Sequence, residues 1–180
     1  APKPADALEG KFRLFKFHIS NCILSYLVSV YLLTKFNSDT LHRQSSQSYK
    51  FDHFSGGFVE ILAAEQTFGD SSWYQGTADA VRKNLTHFLN HDFDYLLILS
   101  GDQLYRMDFR QIIAQHVESN ADVTIAKIPM PRREAQSLGI MKINSELRST
   151  RFVQKPKTPA LLDSLRTERD VYSKFGVQRA

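Results

Sequence analysis

Ser100-Gly101-Asp102 ends an apolar run, Tyr95-Leu-Leu-Ile-Leu99, and a helical pattern follows from about Asp108. The run is too short for an ordinary helix and too continuous for a half-exposed strand, so it reads as a strand covered on both faces. Gly101 permits a sharp exit, which sets the Asp102 carboxylate just past the carboxyl end of that strand, where open α/β sheets bind ligands. A carboxylate there suits Mg2+, a hard cation that keeps several waters and is held by one or two carboxylates plus substrate phosphates. The competing role is turn closure, since Gly-Asp is a common turn pair. A second cluster is Trp73-Tyr-Gln-Gly-Thr-Ala78, where an aromatic pair precedes a Gly-Thr step that opens a helix with Thr77 as its natural N-cap. Backbone N–H groups at such a start attract anions and nucleobase acceptors. Judged alone, Trp73 and Tyr74 read as half-buried packing more readily than as a base-stacking pair. His87 and His91 stand four apart, as zinc ligands can, but no third ligand follows at a recognisable spacing.

Groups like these need a scaffold that brings them to one edge. Strands are expected at 28–33, 58–62, 95–99 and 122–128, and a pair at 139–143 and 149–153 across a turn. Helices are expected after Ser20-Asn21 and over 38–44 behind Asn37-Ser38. Another starts at Thr77, with Ala78, Val81, Leu85, Phe88 and Leu89 on one face. A fourth is capped by Asp108, with Phe109, Ile112, Ile113 and Val117 turned inward, and a polar helix covers 160–166. Residues 45–55 and 68–75 read as loops. Strands alternating with helices in this order imply an α/β fold, a doubly wound and mostly parallel sheet with a later antiparallel insertion.

The chain has 180 residues, 42% hydrophobic and 23% charged, which suits one domain with a real core. Its net charge of +4 is dispersed, with Arg132-Arg133 as an adjacent basic pair near a predicted loop, so nucleic acid is not indicated as a partner. The single cysteine, Cys22, lies among Ile19, Ile23 and Leu24 and reads as a buried structural thiol. The longest apolar stretch, 22–34, is broken by Ser25 and Ser29 and falls short of the roughly 20 residues of a spanning helix. Ala1-Pro-Lys-Pro-Ala5 lacks a signal-peptide pattern. A cytoplasmic protein without a membrane partner is expected.

Taken together, WYQGTADAV (73–81), SGDQLYRMD (100–108), FSGGFVEILAAEQ (54–66), ADVTIAKIPM (121–130), LGIMKI (138–143) and FVQKP (152–156) closely resemble the glucose-1-phosphate adenylyltransferase (ADP-glucose pyrophosphorylase) family in order and spacing. The resemblance implies a Rossmann-like nucleotidyltransferase sheet. It further implies transfer of an adenylyl group from ATP to glucose 1-phosphate, with release of pyrophosphate, for glycogen or starch synthesis. By family match, Asp102 would hold Mg2+, Gln66, Tyr74, Gly76, Thr77 and Ala78 would line the ATP site, and Lys155 would bind the sugar phosphate. Gly139, Gln154 and Lys174 would complete the sugar-phosphate site, and Lys3 matches a lysine near the phosphates. A homo-oligomer, a tetramer in this family, would follow, in the cytoplasm or, for a plant protein, a plastid.

The match also has departures. The family's GGGxGTRLxPLT loop is not among these residues, and its later catalytic and β-helix regions would follow Ala180. The chain is therefore expected to be a partial catalytic domain, 1–180, incomplete at both ends and inactive by itself. Gln154 stands for a family Glu, Lys174 for a Ser, Lys16 for Asp and His18 for Pro, while Tyr26 and Leu147 occupy family glycine turns. These changes fit a second reading, a degenerate or regulatory relative that binds without turnover.

Overall fold

The computed structural model describes residues 7–8, 12–34, 56–63, 74–168 and 171. They fall into two compact units, residues 1–124 and 125–180.

In the first unit a short antiparallel pair, β1 (Ala7–Leu8) and β2 (Phe12–Arg13), leads into helix α1 (Leu14–Leu24). Strands β3 (Ser29–Thr34) and β4 (Phe58–Ala63) then pair in parallel, Ser29 opposite Phe58 through Thr34 opposite Ala63. Phe15, Ile19 and Ile23 recur every fourth residue and so share one stripe of α1. That stripe covers Val30, Leu32, Val59 and Ile61, the alternate residues of one sheet face, and Ile19 is 0% exposed. Two strands are marginal in water, so the helix on their face is what stabilises the pair.

Cys22 is buried beside this stripe, and desolvation pushes its thiol from an ordinary 9.0 up to about 11. Two pH units make the reactive thiolate about a hundredfold scarcer. Alkylation by iodoacetamide at pH 8 is expected to be slower in the native chain than in urea by at least that factor. Equal rates would show an accessible thiol.

Helix α1 ends in a Schellman motif: Leu27 N–H donates to the Cys22 carbonyl at 2.8 Å and Tyr26 N–H to Ile23 at 2.9 Å. Tyr26, at the position that favours glycine, has φ 62°. Leu147, in the turn between the paired strands of the second unit, has φ 67°. Both residues flagged as replaced glycines therefore sit in the left-handed region, which costs a side chain about 1–2 kcal/mol. Leu147→Gly is expected to raise stability by about 1 kcal/mol. Tyr26→Gly should yield less, because the Arg110 guanidinium lies 5.6 Å from the Tyr26 ring and that contact, worth about 0.5–1 kcal/mol at an exposed site, disappears. Urea melts of the two variants check the order.

The helix expected from Thr77 is broken into α2 (Thr77–Lys83) and α3 (Leu85–Phe88). The cause is Asn84: its Nδ2 donates to the Ala80 carbonyl at 2.8 Å, taking the acceptor that its own backbone N–H would use, and that N–H turns to Val81 instead. Ala80 and Phe88 are buried while Leu85 and Leu89 are exposed, so the anticipated five-residue face does not form. Helix α4 (Phe109–Ser119) starts as expected, with Asp108 accepting from Arg110 N–H at 3.0 Å. Phe109 is buried and Ile112 and Ile113 partly so, but Val117 is exposed. His116 turns inward in its place, with Nδ1 2.8 Å from Thr124 Oγ1 and its ring edge-on to Tyr95.

Two expected strands do not form. Residues 95–99 and 122–128 have no ladder partner, and their apolar side chains are open: Tyr95 is 50% and Ile98 62% exposed, and Val123 and Ile128 are exposed too. Apolar continuity marks a segment fit for burial between neighbours, but a strand exists only where a neighbour supplies the ladder. Among the described residues none does. The helix expected over 38–44 and the loop 45–55 lie outside the described residues.

In the second unit α5 (Arg132–Ala135) is one helical turn that carries the Arg132-Arg133 pair. Strands β5 (Gly139–Ile143) and β6 (Ser149–Gln154) pair antiparallel with Gly139 opposite Gln154, and the register shifts between Lys142 and Ile143. Helix α6 (Pro159–Ser164) starts at Thr158, whose Oγ1 accepts from Leu161 N–H, and carries buried Leu162. Lys142 Nζ donates to the Ser164 carbonyl at 2.9 Å, tying hairpin to helix, and Arg132 pairs with Asp163. The protein is thus mixed α/β, with a parallel pair under a helix and a separate antiparallel pair. Among the described residues no helix is long and apolar enough to cross a membrane.

Candidate functional site

Asp102 lies on an irregular segment, so its backbone polar groups need partners from elsewhere. Helix α1 provides them from one side. His18 Nε2 bonds the Gln103 carbonyl, Asn21 Nδ2 donates to the carbonyls of Met107 at 2.9 Å and Tyr105 at 3.3 Å, and Ser25 Oγ accepts from Phe109 N–H at 3.2 Å. Within the segment Ser100 N–H donates to the Tyr105 phenol oxygen at 2.9 Å, and the Ser100 hydroxyl donates to Asp102 Oδ1 at 2.6 Å. The His18 and Tyr105 rings meet edge to face with centroids 5.7 Å apart. Asp102 itself is exposed. An exposed carboxylate is therefore carried on a segment held at residues 100, 103, 105, 107 and 109.

His18, Asn21, Ser25 and Tyr105 were not singled out from sequence as site-builders. The signal existed: positions 18, 21 and 25 fall on one face of a helix, and a polar stripe on an otherwise apolar helix must bond something. His18, one of the departures from the family pattern, supplies one of these anchors.

The turn carrying Tyr74, Gly76, Thr77 and Ala78 is built differently. Gly76, not Thr77, caps α2, with extended φ 168° and no side-chain bond, and Thr77 is the first helical residue. A Cβ on Gly76 would meet nothing within 4 Å, so space does not require the glycine. Asp79 does the capping work from inside the helix. Its Oδ2 accepts from Gln75 N–H at 3.0 Å and its Oδ1 from Arg82 at 2.8 Å, and these bonds, the backbone one foremost, hold its carboxyl below the usual carboxylate range. Tyr74 is fixed by its phenol oxygen, which accepts from the buried Asn84 amide at 2.7 Å. Gln66, Trp73 and Lys3 lie outside the described residues.

In the second unit Gly139, Gln154 and Lys155 come together at one end of the hairpin. Gly139 and Gln154 face each other across the ladder, and Lys155 N–H donates to the Leu138 carbonyl at 2.8 Å. Lys155 has φ 49° although it is neither glycine nor free of a following proline, two reasons to avoid that conformation. Strain of this kind, of order 1–3 kcal/mol, persists where the surroundings impose it and concentrates at ligand sites. Lys174 lies outside the described residues.

Three kinds of group are thus laid out: an exposed carboxylate, an aromatic and backbone turn, and a lysine beside a bare glycine. Among the described residues no group of three or more His, Cys, Asp or Glu could hold a metal by itself. His91 packs its ring on Phe58, with centroids 5.0 Å apart, which explains it without zinc. Compared with known families, residues 1–175 match the model of the nucleotidyl transferase family.

Proposed function

On the premise that this chain belongs to the nucleotidyl transferase family, we propose that it serves adenylyl transfer from ATP to glucose 1-phosphate, giving ADP-glucose and pyrophosphate. A sugar-phosphate oxygen attacks the α-phosphorus. The new O–P bond forms as the bond to the bridging oxygen of the β-phosphate breaks, and pyrophosphate leaves with that electron pair. Catalysis of such a displacement is positioning plus neutralisation of the two anions.

The observation that carries the reading is the hairpin end, where a strained Lys155 is fixed beside Gly139 and Gln154. In this reading Lys155 and Lys174 hold the sugar phosphate by charge, and Gln154 replaces a carboxylate with an amide that does not repel it. The turn from Tyr74 to Ala78, with Gln66, takes the nucleotide. Asp102 fits Mg2+ by donor chemistry, since one exposed carboxylate leaves the remaining positions to water and phosphate oxygens. Mg2+, when bound, supplies charge neutralisation at the phosphates.

Binding tests the substrates whether or not the chain turns over. Calorimetric titration with glucose 1-phosphate should saturate, and Lys155→Ala should weaken it by about tenfold or more while leaving the thermal melt unchanged, as expected for loss of a charge-assisted phosphate contact. Unaltered affinity in that variant would remove Lys155 from the site. Pyrophosphate release with MgATP separates enzyme from regulatory relative: binding of both substrates without turnover would favour the latter.

A further inference from the structure

We infer that the hairpin face carrying Phe152 and Gln154 is a stacking platform for a pyranose ring, which makes Phe152 a specificity-determining residue. The inference rests on the reading of Lys155 as the phosphate-binding group. A lone exposed Phe is ordinary on a protein surface; what surrounds this one is not. Phe152 and Gln154 are two apart on β6 and share a face, and Gly139 stands directly opposite Gln154. A Cβ placed on Gly139 would fall 2.9 Å from Phe152 Cε2, 3.1 Å from its Cζ and 2.9 Å from Gln154 Oε1.

The aromatic edge and the amide therefore converge over the bare backbone of Gly139, and any side chain there would push both away. Phe152 is nevertheless 57% exposed, so its edge lies by Gly139 while much of the ring stays open to solvent. An aromatic face is electron-rich and attracts the weakly positive C–H groups on one side of a pyranose. The Gln154 amide, whose Oε1 approaches the same Gly139 position as the ring edge, offers a donor and an acceptor to a sugar hydroxyl. Lys155, the next residue, supplies the cation that a phosphorylated sugar requires. Apolar face, hydroxyl partner and phosphate partner follow one another within four residues.

Saturation-transfer NMR on the full 180-residue chain, with glucose 1-phosphate as the probe and irradiation of the aromatic protons, tests this. Transfer should concentrate on the pyranose C–H protons of one face. Phe152→Leu should abolish that pattern and weaken binding about five- to tenfold, the size of one aromatic contact; Phe152→Tyr should keep both. Inorganic phosphate binding should be the same in all three proteins, which separates the platform from a folding defect. If Phe152→Leu binds glucose 1-phosphate as the wild type does, or loses inorganic phosphate equally, the platform is wrong. If mannose 1-phosphate binds better and remains sensitive to Phe152→Leu, the platform stands and the glucose assignment falls. If inorganic phosphate binds while no hexose phosphate does, the platform falls and the phosphate role of Lys155 survives.

Discussion

Replacing Phe109 by alanine is expected to lower the free energy of unfolding by about 3–5 kcal/mol, the range for removing a fully buried aromatic ring. Phe109 is 1% exposed, its ring meets Tyr105 edge to face with centroids 6.1 Å apart, and its N–H donates to Ser25 Oγ. A loss of that size is a large share of the 5–15 kcal/mol that ordinarily separates folded from unfolded domains. The consequence extends to the site, because Phe109 closes the segment that carries Asp102 and Tyr105 steadies it through Ser100 N–H. Urea denaturation followed by circular dichroism measures the effect, with Phe109→Leu expected to keep more than half of the lost stability. A loss under about 1 kcal/mol for alanine would mean that the ring is not an anchor of this unit.

On the proposed reading Asp102→Asn is the converse case, with a large functional effect expected and almost none on folding. The substitution keeps shape and leaves an oxygen for the Ser100 hydroxyl to donate to, and the side chain is exposed, so stability should stay within about 0.5 kcal/mol of wild type. What it removes is the charge that a hard cation needs. Outer partners of a metal ligand already change metal affinity about 10- to 100-fold, so the loss of the ligand charge itself should weaken MgATP binding by at least the upper part of that range. ATP with EDTA should bind the two proteins alike. Titration in the presence and absence of Mg2+ checks this, and an unchanged Mg2+ dependence in the Asn variant would remove Asp102 from the cation site.

Local rules were legible in the sequence. Asp108 caps α4 and two strands, β5 and β6, pair across a turn, while Tyr26 and Leu147, marked by resemblance to glycines of the family, have φ of 62° and 67°. The cap and the hairpin depend on a few neighbouring residues, so periodicity, turn chemistry and cap geometry suffice to find them, whereas the register, Gly139 opposite Gln154, came only with the structure. The Asn84 break is local as well, but it is a competition between a side chain and the backbone for the Ala80 carbonyl, and helical periodicity carries no trace of it.

Only the tertiary structure decided what becomes of the run before Asp102. Residues 95–99 look like a buried strand by composition, yet burial and ladder bonds are properties of a partner that the run itself does not encode. In the same way nothing in their spacing gives His18, Asn21 and Ser25 a partner until the fold sets them against carbonyls and an N–H some 84 to 86 positions away. The chain by itself offered side chains whose chemistry suits phosphates and a hard cation, and local signals such as the Asp108 cap. Where those turns are held depends on hydrogen bonds between distant segments, because an irregular backbone finds its partners through packing and not through spacing.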